Sequence, residues 1–332
     1  MASLLRSVVT IALLVASAAP VSGQSRDAAA QVPQTAPGAD VQALVKRIEL
    51  VRQHYTSSRV AGAQLELSNT IDLVRAAREV ESARPRVSRE GELPRAGRDA
   101  PMPGLLKRVE PAYPIEAAKK GVAGYVVVDA VIDKSGKVRD ARVAHSVPEL
   151  DRAALDAVRR WQFAKPRFDG SPADIGATLV LAFTIRREAP PTSELELARF
   201  YVERSDYAAA EAPLARALET MTREAACIAA VSSAAGAQRK VGASGSAQPR
   251  KLKDVRPVYP ALAMKAKVTG SVGLEAVIGA DGRLTCVRVT RSVPLLDQAA
   301  IDAVSQWEFA PMLLDGVPAP TRISADVSFS LR

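Results

Sequence analysis

The stretch from Val109 to Ile185 aligns without a gap onto Val255 to Leu331 at a constant offset of 146 positions, so the chain folds the same unit twice. Matches cluster where backbone or core demands them. Tyr113-Pro114 stands against Tyr259-Pro260, Gly124 against Gly270, Gly136 against Gly282, and SVPELDRAALDAVRRWQF against SVPLLDQAAIDAVSQWEF.

Each copy reads as the same string of elements. Pro114 to Lys120, and Pro260 to Lys267, predict a short helix entered through proline. Val126, Val128, Ala130 and Ile132 alternate with Asp129 on the other side, and Val272, Leu274, Ala276 and Ile278 with Glu275; period two with one wet face is a half-buried strand. Lys134-Ser135-Gly136 and Ala280-Asp281-Gly282 supply hairpin turns. In the returning strands, Val138, Ala141, Val143 and Leu284, Val287, Val289 shift spacing after the first residue, which predicts a bulge. Pro148 and Pro294 end those strands, and Asp151 or Asp297 offers a carboxylate to the amides at the start of the next helix. Leu150, Ala154, Val158 and Trp161, repeated as Leu296, Ala300, Val304 and Trp307, form one stripe that must lie on the sheet. A third strand follows Asp169-Gly170 or Asp315-Gly316. In copy two it sets Ile323, Ala325, Val327, Phe329 and Leu331 inward against Ser324, Asp326, Ser328 and Ser330 outward. The fold class is therefore α+β: two small three-stranded antiparallel sheets, each with one helix across one face. Thr178, Val180, Ala182 and Thr184 give copy one an apolar outer face, which predicts a cover over it.

Around the repeats, Met1 to Gly23 has Arg6 ahead of an apolar run from Val8 to Ala19 and small residues before Gln24. The run is too short to span a bilayer and reads as a secretory signal. Residues 24–83 read as a disordered stretch followed by a helical segment with Val41, Leu44, Val45, Ile48 and Val51 on one face, and residues 84–104 as a linker. The first repeat domain takes residues 105–187 and the second 251–332. Between them, residues 190–224 resemble a tetratricopeptide-like helical spacer that leans on a neighbour, the helical segment before residue 83 being the candidate, and residues 225–250 read as a linker.

The basic residues behind the net charge of +9 are scattered, with local concentrations in likely linkers, as at Arg84, Arg86, Arg89 and Arg250, Lys251, Lys253, and export argues against nucleic acid as a partner. Cys227 and Cys286 are the only cysteines. In an oxidising compartment a disulfide between them and two free thiols both stay open, because Cys286 stands where copy one has Asp140. An enzyme must assemble activated groups, and the chain offers few. His54 and His145 have no repeated partner, Ser146 and Ser292 have no base placed beside them, and no His/Cys spacing suits a metal. No catalytic residue, cofactor or metal is expected.

The pattern P-x-Y-P-x-x-A, G-x-V, a D-x-x-G or D-G hairpin, S-x-x-x-L-D-x-A-A, W-x-F and a closing Phe resembles the C-terminal domain of the TonB family in both copies. That resemblance implies a non-enzymatic periplasmic module that adds a peptide segment of an outer-membrane receptor, or of another envelope partner, as a strand to an exposed sheet edge. The implied contacts are Tyr113, Pro114, Tyr259, Pro260, Arg322, Ser324, Asp326, Ser328 and Ser330, with Ala177 to Ile185 as the corresponding strand of copy one. The family's membrane helix with its histidine and its long Pro/Lys-rich spacer have no counterpart here, which argues against inner-membrane motor proteins as partners; a retained signal would instead anchor the chain in that membrane. The second reading is an envelope scaffold whose repeats pair with each other or with a second chain as a homodimer.

Overall fold

The computed structural model describes residues 40–83, 92–186, 189–240, 249–314 and 316–331. The expected signal, the stretch before Asp40 and Asp315 of the last turn lie outside them. None of the described helices is long and apolar enough to cross a membrane.

Four helices form one layer: α1 (Val41–Thr56), α2 (Val60–Ser82), α5 (Pro191–Glu203) and α6 (Tyr207–Lys240). Asp40 caps α1 by accepting the amides of Gln42 and Ala43. Leu44, Ile48 and Val51 of α1 and Leu67, Ile71 and Val74 of α2 share one core with Leu195, Ala198, Leu214 and Met221. The helical segment near the N-terminus is thus the neighbour on which the spacer leans. Neither pair could bury its apolar stripe alone.

The first repeat contributes α3 (Ile115–Lys119), β1 (Gly124–Ile132), β2 (Val138–His145), α4 (Pro148–Val158) and β3 (Ile175–Phe183). The second contributes α7 (Ala261–Lys265), β4 (Gly270–Ile278), β5 (Leu284–Arg291), α8 (Asp297–Val304) and β6 (Thr321–Phe329). Both sheets are antiparallel, ordered β2-β1-β3 and β5-β4-β6. Their registers correspond, Gly124 opposite Phe183 and Gly270 opposite Phe329. Register shifts at Val138 and Leu284 are the expected bulges. Inward-facing Val126, Val128, Ile132, Leu150, Ala154 and Val158 are fully enclosed, as are Val272, Ile278, Leu296, Ala300 and Val304. Trp161 and Trp307 each close a core with the indole N–H donated to a carbonyl, Val109 at 2.8 Å and Val255 at 2.9 Å.

The two copies also pack on each other. Ala118 of α3, with Tyr113, Ile115 and Ile185, enters the core built around Leu274, Leu296 and Phe329. The Arg186 guanidinium reaches the enclosed carboxylate of Asp297 at 2.6 Å.

Three expectations need correction. The segment taken as a linker from residue 225 continues as helix to Lys240. Alanine is the strongest helix former, and Val231 and Ala234 have a surface to bury on, Val277 of the second sheet. The stretch taken as a linker up to residue 104 is tied to the first sheet: Ala96 donates to the Gly176 carbonyl at 2.8 Å, and Gly176 donates to the Pro94 carbonyl at 2.9 Å. Leu331 lies past the end of β6 and is exposed rather than inward.

Candidate functional site

Strand β6 is the last of its sheet. Among the described residues, the main chain from Ile323 to Phe329 bonds only to β4. Ser324, Asp326, Ser328 and Arg322 point to the outer face and are exposed, as is Ser330 beyond the strand end. The alternation that buries Val327 and Phe329 is what turns those polar side chains outward. On that face Glu275 is clasped by two guanidiniums, Arg288 at 2.8 Å and Arg322 at 3.0 Å, while Asp326 accepts from Arg291 at 2.6 Å. These cross-strand pairs hold long side chains flat along the sheet. The face is not wholly wet as expected: α6 packs on it, close to β6 as well as to β4, and Glu275 and Val277 are buried.

The corner at Tyr259-Pro260 stands at one end of this strand. The Tyr259 hydroxyl donates to the Val268 carbonyl at 2.5 Å, and its ring meets Phe329 edge-on at 5.5 Å. Tyr259 and Pro260 therefore stand at the end of β6 that carries Ser328 and Ser330, with Asp326, Ser324 and Arg322 further along the strand.

Copy one builds the same corner and uses it differently. Tyr113 donates to the Val122 carbonyl and meets Phe183 edge-on at 5.6 Å. Its ring also joins the core of copy two, and burial pushes its phenol up to about 12. Pro114 is half-buried beside it. Tyr113 and Pro114 thus lie at the junction between the copies, apart from the residues on β6.

The outer face of copy one is covered, as its apolar composition predicts. Leu197 and Phe200 of α5 pack on Val127, with Tyr125 and Val180 beside them. Around this contact Arg216 grips Glu194 through two bonds of 2.9 Å, and the Tyr125 hydroxyl donates to Glu194 at 2.6 Å. Burial, then that carboxylate, push the Tyr125 phenol up to about 12, and the same carboxylate raises Arg216. Asp129, the counterpart of Glu275, accepts from Thr178 at 3.0 Å and from Arg204 at the end of α5 at 3.3 Å. None of these helix-to-sheet bonds was expected from the sequence, although Leu197 and Phe200 form a second apolar stripe that hints at one.

Cys227 of α6 and Cys286 of β5 are joined by a disulfide with Cα atoms 5.4 Å apart. Ser146 and Ser292 donate to Asp151 and Asp297, at 2.5 and 2.6 Å, and the amides of Val147 and Val293 bond the same carboxylates. Both serines serve helix starts. His54 lies at the end of α1, and His145 stacks edge-on with Phe200 at 5.8 Å. No group of His, Cys, Asp and Glu suited to a metal occurs among the described residues.

Residues 109–185 and 255–331 each match the family model described as the Gram-negative bacterial TonB protein C-terminal. Protein TonB of Vibrio cholerae serotype O1 is 38% identical over 79 residues, 23% of this chain and 32% of that protein. Protein TonB of Xanthomonas campestris pv. campestris is 38% identical over 77 residues, 23% of this chain and 34% of that protein. The chain spans about a third of the length of these curated relatives. Among solved structures, the solution NMR structure of the Pseudomonas aeruginosa TonB CTD shares 32% identity, covering 26% of this chain and 88% of that one, with a TM-score of 0.22.

Proposed function

Both repeats of this chain belong to the TonB C-terminal family, and from that premise we propose that the protein binds extended peptide segments of outer-membrane receptors, or of another envelope partner, by adding them as a strand to β6. The role is non-enzymatic, is placed in the periplasm and serves TonB-dependent transport. The observation that carries this reading is the margin of β6: from Ile323 to Phe329 it bonds to β4 alone among the described residues. A visiting strand gains main-chain hydrogen bonds there, and Arg322, Ser324, Asp326, Ser328 and Ser330 select its side chains, with the Tyr259-Pro260 corner closing one end.

The copies have separate duties in this reading. Copy one has its outer face under α5, the start of its third strand paired with Pro94–Ala96, and its Tyr113-Pro114 corner against copy two. Copy two does the docking, and copy one with the helical layer holds it. The scaffold reading, in which sheet margins pair with one another, is disfavoured within one chain because the copies meet through α3 and Ile185 rather than through β3 and β6. It survives only as pairing with a second chain.

Proline at Ser324 or Ser328 tests the reading, since proline either removes a donor from the margin or disturbs the strand. Binding of receptor plug peptides should fall at least tenfold with tryptophan fluorescence unchanged. Unaltered binding refutes docking on β6, and a loss of mass in light scattering on the same substitutions supports the scaffold instead.

A further inference from the structure

A second strand margin in copy two opens into a groove that exists only because the repeats are tandem. The groove has a volume of 1110 Å³ and is walled by β5, by Thr184–Arg186 of copy one and by α6 around Cys227. Every residue from Thr285 to Thr290 lines it. A strand that showed its face would contribute alternate residues, so an unbroken run means that β5 turns its margin into the groove. The other margin of β5 pairs with β4, and among the described residues this one makes no backbone hydrogen bond.

The charge of the walls narrows the occupant. Arg288 on β5 and Arg186 opposite it keep 44% and 48% of their side chains exposed, whereas their carboxylate partners Glu275 and Asp297 keep 10% and 0%. Each ion pair thus buries its anion and turns its guanidinium toward solvent. Glu224 on α6 accepts the Tyr55 hydroxyl at 2.7 Å. We infer that this groove is a second peptide site, which takes an extended segment by strand addition along Thr285–Thr290 and prefers one carrying carboxylate side chains, met by Arg186 and Arg288. The disulfide from Cys227 to Cys286 holds the α6 wall in place. The site is independent of docking on β6, which lies at the opposite margin of the same sheet.

The test is hydrogen–deuterium exchange on the full oxidised chain with a capped octapeptide of alternating threonine and valine carrying two glutamates, at millimolar concentration. The same peptide carrying two lysines is the control. The glutamate peptide should slow exchange across Leu284–Arg291, the lysine peptide should do so more weakly, and Arg288→Gln should weaken the glutamate peptide about threefold. Ala226→Trp, at an exposed helix position lining the groove, should abolish the effect. No slowing over Leu284–Arg291, equal slowing by both peptides, or slowing that persists in Ala226→Trp overturns the inference. Slowing confined to Ile323–Phe329 overturns it while supporting the receptor-binding margin, so the two readings fail separately.

Discussion

Arg186, just past the last strand of copy one, sets its Nη2 2.6 Å from Oδ2 of Asp297, a carboxylate fully enclosed in copy two. The pair joins the repeats by ionic contact where Ala118 joins them by packing. Arg186→Ala leaves Asp297 with the Ser292 hydroxyl and the Val293 amide alone, and a buried anion that loses a partner costs about 1–3 kcal/mol. Urea unfolding followed by tryptophan fluorescence should show that loss, with Arg186→Lys recovering part of it; an unchanged midpoint would mean the pair does not tie the copies.

Gly136 and Gly282 turn the two main hairpins at φ of +85° and +83°. A Cβ at either would stand 2.0 or 2.1 Å from the carbonyl oxygen of Phe163 or Phe309. Alanine at either position combines left-handed strain with a backbone clash and should cost about 3 kcal/mol or more. Gly170→Ala, with φ of +77° and nothing within 4 Å, should cost only about 1 kcal/mol. Equal melting points for the three variants would contradict the close approach.

The Cys227–Cys286 disulfide spans a sequence separation of 59. Closing a loop of that size lowers the entropy of the unfolded chain and should contribute about 4 kcal/mol. Denatured, unreduced protein should show no free thiol, and the double serine variant should lose up to that stability while speeding amide exchange in α6 beyond Cys227. Two titratable thiols would contradict the bridge.

Tyr113 and Tyr125 have phenols pushed up to about 12 from 10.0, chiefly by burial, with the Glu194 carboxylate adding to the shift at Tyr125. Between those values the unfolded chain has lost protons that the folded chain keeps. The stability they give is intact below pH 10 and is lost as pH rises toward 12. Tyr125→Phe should flatten part of that decline in urea midpoints measured from pH 9 to 12. An identical slope would remove Tyr125 from the effect.

Much of the fold could be read from the residues because each signal is local. Alternation in Val126 to Ile132, the spacing shift after Val138, and the stripe through Leu150 and Trp161 each report on a chain segment and its own face. What escaped depends on contacts between distant segments. The alanines of residues 225–240 read as a linker until Val277 gives Val231 and Ala234 something to cover. Pro94–Ala96 has the composition of a spacer, yet its backbone pairs with Gly176. Tyr113 and Tyr259 are equivalent in sequence, and only the packing of the copies sets Tyr113 of copy one into the core of copy two. The outward polar row on β6 was legible, whereas the groove beside β5 needed three elements to meet.

The most direct test of strand addition on β6 is a titration of the isotope-labelled full chain with receptor plug peptides, followed through backbone amide resonances. The account predicts shifts concentrated from Arg322 to Ser330 and around Tyr259, with β3 of copy one unmoved. Silence along β6 at millimolar peptide, or shifts confined to β3, would contradict it.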